Sequence, residues 1–137
     1  MNFLRDIFTL ARIELVLRVW ISYVLIKNAG VGTITPLEEL NLPPHIFGII
    51  NGMWETGFMM HLVKAIELIA GVFILFNLYV PLALCLLFPV VINIYGIHIF
   101  LFDAYITTGL YMLLVCIFLS YRHRERFLPL LQMRPKT

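Results

Sequence analysis

The sequence predicts an all-α fold: an integral membrane, antiparallel four-helix bundle with a short interfacial helix in the first outer loop. Three observations predict it. Residues 68–102 contain no Asp, Glu, Lys or Arg. As one helix at about 1.5 Å per residue this tract would be ~50 Å long, well beyond the ~30 Å hydrocarbon core of a bilayer, so it must fold back. The chain is 61% hydrophobic and 13% charged, against about 25% charged in ordinary soluble domains. Finally, Arg122, Arg124, Arg126, Arg134 and Lys136 crowd the C-terminus, while only Glu38, Glu39 and Glu55 carry charge between Lys27 and Lys64. Basic residues near span ends mark the cytoplasmic side. The C-terminal cluster therefore reads as membrane topology, and no nucleic-acid partner is expected.

At 137 residues the chain holds four spans and short connections as one transmembrane domain, residues 1–137. Span 1 is predicted over residues 7–27, with Asn28-Ala29-Gly30 as its helix stop. Arg12, Glu14 and Arg18 interrupt what would be the apolar core of a signal peptide, and no small-x-small cleavage site follows. The segment is expected to stay as a span. Residues 31–56 form the long connection. After Pro43-Pro44, an apolar run closed by Trp54 suits a short helix at the headgroup level. Span 2 is predicted over residues 57–76. Phe76-Asn77-Leu78-Tyr79-Val80-Pro81 makes the turn into span 3, residues 79–101. Span 4 covers residues 105–121 and stops at Arg122-His123-Arg124, which puts both termini in the cytoplasm. Cys85 and Cys116 fall in separate spans without a C-x-x-C pattern and read as small apolar core residues.

Polar residues inside spans carry the functional signal, because a mid-bilayer charge costs about 2.5–3.5 kcal/mol and needs a partner or a cavity. Glu14, Arg18 and Ser22 recur at i, i+4 and i+8, and Glu before Arg at this spacing favours an ion-pair stripe. In span 2, Lys64 and Glu67 lie at i, i+3 with His61 one turn earlier. Span 3 carries Pro89, where a kink is expected, then Asn93 and His98. Under the predicted topology His61, Lys64, Glu67, Asn93 and His98 all fall in the outer half of the bilayer. They define a candidate polar pocket opening outward.

Several segments together resemble the DoxX family of small bacterial membrane proteins. They are Lys64-Ala65-Ile66-Glu67 with Gly71, then Tyr79-Val80-Pro81, then Pro89 with Asn93 and His98, then Tyr121-Arg122 with Phe127-Leu128-Pro129-Leu130. The resemblance runs from about residue 10 to residue 131. It implies a four-helix protein of the bacterial inner membrane, whose relatives include a small subunit of a thiosulfate:quinone oxidoreductase and components linked to redox stress. Glu14 and Arg18 in span 1, and His61, depart from that pattern.

The expected function is a non-catalytic membrane subunit or scaffold of a redox-linked complex, in which these polar groups lock helices at about 0.6 kcal/mol each. A quinone-binding oxidoreductase subunit is the alternative. There His98 or Lys64 donates to a quinone carbonyl, Asn93 orients the ring and Glu67 exchanges protons. Transport of a small solute is a further alternative, weakened by the missing inverted repeat. Haem ligated by His61 and His98 is disfavoured, no third ligand suggests a metal site, and whether the chain is an enzyme stays open. The partners expected are the lipid bilayer, a redox partner subunit and further copies of the chain.

Overall fold

Long apolar runs with few helix breakers give helix nearly everywhere. The computed structural model describes residues 2–34, 36–40, 42–102 and 107–128, and among these there is no strand. The order is α1 (Asn2–Ile34), a 3-10 turn (Leu37–Leu40), α2 (Pro44–Glu55), α3 (Met59–Leu75), α4 (Val80–Phe102), α5 (Thr108–Arg122) and α6 (Arg124–Phe127). The all-α class is thus observed. Tyr105 and Ile106 of the predicted fourth span, and Arg134 and Lys136 of the basic terminus, lie outside the described residues.

The stop predicted at Asn28-Ala29-Gly30 is not used, and α1 runs on to Ile34. A glycine ends a helix by adopting the left-handed conformation, and among the described glycines only Gly57 has a positive φ. Gly30 stays helical, and Ala29 beside it is buried. α1 ends two residues short of Pro36, whose ring cannot continue a helix.

At its other end α1 begins at Asn2, five residues before the predicted start of span 1. The boundaries of α3, α4 and α5 fall within three residues of the predicted ones. Pro44 opens α2 at the first helical position, where its missing N–H costs nothing. Thr56 links α2 to α3: its Oγ1 donates to Met53 O at 2.7 Å and accepts from Met59 N at 3.1 Å. Gly57 then takes φ 77°, and the chain turns through 90° between the two helices. α3 ends in a Schellman motif, with Leu78 N donating to Phe73 O at 2.8 Å and Asn77 N to Ile74 O at 3.2 Å. Asn77 occupies the left-handed position at φ 57°, which Asn tolerates better than most residues. α4 is continuous through Pro89.

Buried apolar residues recur at helical spacing. They are Ile21 and Leu25 on α1, Ala70 and Ile74 on α3, Leu84, Leu87 and Val91 on α4, and Met112, Cys116 and Leu119 on α5, all in one core. α1 packs on α3, α3 on α4, α4 on α5, and α5 also meets α1. Of the described helices, α4 over Val80–Leu101 is long and apolar enough to cross a membrane, and α2 with α3 reach that length only as a bent pair. α5 is a shorter apolar helix.

Two glycines mark close approaches. A Cβ at Gly109 would meet Tyr95 Cα at 3.1 Å and N at 3.3 Å, whereas one at Gly71 would meet the side chains of Ile26 at 3.0 Å and Leu25 at 3.2 Å. The Ile26 side chain can rotate away, whereas Leu25 Cβ and the Tyr95 backbone are held by their helices. Gly109→Ala, which meets backbone at both of its shortest approaches, is therefore expected to lower stability by about 1–3 kcal/mol. In Gly71→Ala the strain is partly offset by the ~1 kcal/mol helix-propensity gain, so the loss is smaller. Melting temperatures of the two variants in one detergent check the order.

Candidate functional site

The i, i+3 spacing on α3 brings Lys64 Nζ to 2.9 Å from Glu67 Oε2. Glu67 is 1% exposed, so its carboxylate relies on that ammonium for compensation. Lys64 faces a groove of about 330 Å³ between α1 and α3, walled by Ile26, Ala29 and Gly30 on one side and His61, Lys64 and Leu68 on the other. His61 sits at its rim, with its ring edge-on to Trp54 at 5.0 Å and 84°. That contact spans the corner between α2 and α3.

The five residues of the predicted pocket do not converge. His61 and Lys64 line the groove, and Glu67 lies behind Lys64. Asn93 and His98 do not line it and bond to their own helix instead. Asn93 Nδ2 donates to Pro89 O at 2.8 Å, and His98 Nδ1 lies 2.7 Å from Ile94 O. A carbonyl only accepts, so Nδ1 carries the proton there. His98 thus does not line the groove that His61 lines. Among the described residues, no group of three or more His, Cys, Asp or Glu is arranged to hold a metal ion.

The predicted Glu14–Arg18 stripe is also corrected. Arg18 reaches across to the end of α3, with Nε donating to Ile74 O and Nη2 to Leu75 O, both at 2.9 Å. Glu14 instead pairs with the end of α5. Arg122 Nε lies 2.9 Å from Glu14 Oε2, and His123 Nε2 lies 3.2 Å from Glu14 Oε1. The last carbonyls of a helix lack internal partners and carry partial negative charge, so a guanidinium fork caps them better than it serves a surface pair. Ser22, third in the stripe, is fully buried with its Oγ unpartnered.

Ile26, Ala29 and Gly30 do not stand out in the sequence as a groove wall, because Ala29-Gly30 looks like a helix stop. Arg122 and His123 do not stand out as partners of Glu14 either, since Arg122 lies 108 residues from it. The same holds for His45, whose Nε2 lies 3.1 Å from Leu101 O and ties α2 to the end of α4. No local pattern signals such pairings.

Burial lowers the His123 pKa below its ordinary value; the Glu14 charge opposes this, while Arg126 and Arg18 reinforce it. Arg122 completes the set of charges at this junction. A lowered folded-state pKa means the unfolded chain binds more protons in the intervening window. The stability contributed is present above about pH 6.5, the unfolded value, and is lost as pH falls through the folded one. The melting temperature should thus drop between about pH 7.5 and about pH 5, and drop less in His123→Gln. Equal slopes for both proteins would show that His123 does not set this dependence.

No family model, curated protein or solved structure matches this chain. The likeness to the DoxX family rests on the residues quoted above.

Proposed function

We propose that the chain is a DoxX-like protein of the bacterial inner membrane. On this proposal α1, α3, α4 and α5 form an antiparallel four-helix bundle, α2 lies at the outer interface and both termini are cytoplasmic. Its role is that of a non-catalytic membrane subunit or scaffold of a redox-linked complex. The observation that carries the role is how the ionisable groups of the spans are used: Arg18 caps α3, Glu14 pairs with Arg122 beside His123, and Lys64 holds Glu67. Each acts as a tie within the chain. The membrane placement is supported by the apolar residues that face outward, among them Leu15, Val16, Leu82, Ile92, Leu114 and Ile117, each at least half exposed. A soluble monomer rarely leaves so many large apolar side chains exposed on several helices at once.

The quinone-binding alternative draws on the α1/α3 groove, where His61 and Lys64 stand among apolar walls. It loses support because Asn93 and His98 bond to their own helix. Native mass spectrometry of protein extracted from its own membranes in mild detergent separates the two. The scaffold role predicts a protein partner and no quinone-sized adduct. A retained quinone that disappears in His61→Ala would overturn it.

A further inference from the structure

Among the described residues three polar side chains are buried: Ser22, Glu67 and His123. Of these only His123 stands outside the predicted spans, and it sits where the chain changes direction. It ends α5, its N–H donating to Leu119 O at 2.9 Å, and it starts α6, its carbonyl accepting from Arg126 N at 2.9 Å. α6 is a single turn of four residues, too short to be stable without docking. Its Phe127, half-buried, packs against the bundle core. The corner thus joins a helix with little stability of its own to the bundle, and a buried imidazole forms the joint.

The surroundings of His123 suit a neutral ring. Its Nε2 lies 3.2 Å from Glu14 Oε1, yet it is aligned for a hydrogen bond with no group among the described residues. The other oxygen of that carboxylate holds Arg122 at 2.9 Å. Arg18 on α1 and Arg126 on α6 also act on the ring, and both oppose a positive charge there. Arg124 and Glu125 of α6 are exposed, and residues 68–102, which include all of α4, bring no Asp, Glu, Lys or Arg. One carboxylate, already paired with Arg122, thus stands against three guanidiniums. A proton on His123 adds a fourth positive charge in a buried place, and turning the ring into water relieves it. Local opening of the one-turn helix is the easiest relief, because few apolar contacts are lost. We propose that the α5/α6 corner is an acid-opened latch, in which protonation of His123 among Arg18, Arg122 and Arg126 withdraws Phe127 from the core and frees α6. On the topology proposed above the latch answers to cytoplasmic pH, but its opening does not depend on that placement.

The test follows backbone hydrogen exchange by mass spectrometry, using the full chain in mild detergent from about pH 7.5 to about pH 5. Labelling times are scaled for the intrinsic pH dependence of amide exchange. Peptides over residues 124–128 should be protected at neutral pH and lose protection below about pH 6.5, by at most about tenfold per pH unit for one proton. Those over residues 70–74 should remain protected at the labelling times at which α6 is already exchanged. His123→Gln should show no acid response. Arg126→Gln, at an exposed position, should show a smaller one, because a charge opposing the imidazolium is gone. Phe127→Ala should be open at neutral pH already. Flat exchange in wild type overturns the proposal, as does a full acid response in His123→Gln or a closed α6 in Phe127→Ala. Should His123→Gln be open at every pH, Arg126→Gln decides, and a response equal to wild type overturns the latch. Exchange of α6 and residues 70–74 at the same labelling time would mean one global opening and overturns it as well. Membrane entry is not read by this experiment, so a failed latch leaves the placement proposed above untouched.

Discussion

Lys64→Met is expected to destabilise the protein by about 3–5 kcal/mol, because it strands a buried carboxylate. Glu67 has a side chain only 2% exposed, whereas Lys64 is 18% exposed. The two halves of the pair are therefore not equivalent. In Glu67→Gln the lysine can extend its head toward the surface while its stem stays on apolar walls, so this variant should lose less. The double variant Lys64→Met/Glu67→Leu should recover most of the loss, since a buried pair replaced by well-packed apolar groups is often neutral. Melting temperatures and expression levels of the three proteins check the order. The same series bears on function. For a structural pair, Glu67→Gln lowers stability and leaves partner assembly intact at low temperature. If Glu67 handles protons for a quinone, Glu67→Gln folds normally and loses quinone retention.

Arg18→Met should be nearly as costly. It removes two hydrogen bonds from a charged donor, each worth about 1.5–3 kcal/mol, and leaves two carbonyls at the end of α3 poorly satisfied. Ile74 O keeps Asn77 N at 3.2 Å, but Leu75 O loses Arg18 Nη2. A net loss of about 3 kcal/mol is expected. Arg18→Lys should recover less than half of it, because an ammonium is a point charge without the fork that spans two carbonyls. Hydrogen exchange at the α3/α4 turn gives the local readout: Asn77 and Leu78 amides should lose protection in Arg18→Met before the core does. If Arg18→Lys matches wild type, the fork is not what holds α3.

Much of the helical frame is legible in the sequence alone. The Pro43-Pro44 start of α2, the turn at Phe76-Asn77-Leu78-Tyr79 and the end of α5 near Arg122 all follow from local chemistry. Proline at a helix start, asparagine at a left-handed C-cap and a charged stop act within a few residues of themselves. The Lys64–Glu67 pair is legible for the same reason, since i, i+3 neighbours meet on any helix. Gly30 misleads because a glycine permits a stop without requiring one. Whether it is used depends on what packs against Ala29, which is α3.

The site is less legible than the frame. An i, i+4 pair between Glu14 and Arg18 is worth only about 0.2–0.5 kcal/mol on a helix surface. Once α1 lies against α3 and α5, stronger partners stand nearby. Arg18 takes the orphan carbonyls of Ile74 and Leu75, and Glu14 takes Arg122. Asn93 and His98 each direct one ring or amide nitrogen at a carbonyl of their own helix four residues back, and neither lines the α1/α3 groove.

The sequence by itself determined an all-helical chain, the turns at Pro43-Pro44 and at Asn77, and the Lys64–Glu67 pair that helical periodicity creates. Tertiary structure decided everything that depends on helices meeting: the cap on α3, the partners of Glu14, and the groove between α1 and α3. The physical reason is range. Propensity, capping and i, i+3 contacts act within one turn, whereas unsatisfied carbonyls, buried charges and cavities acquire their partners only when distant segments are packed side by side.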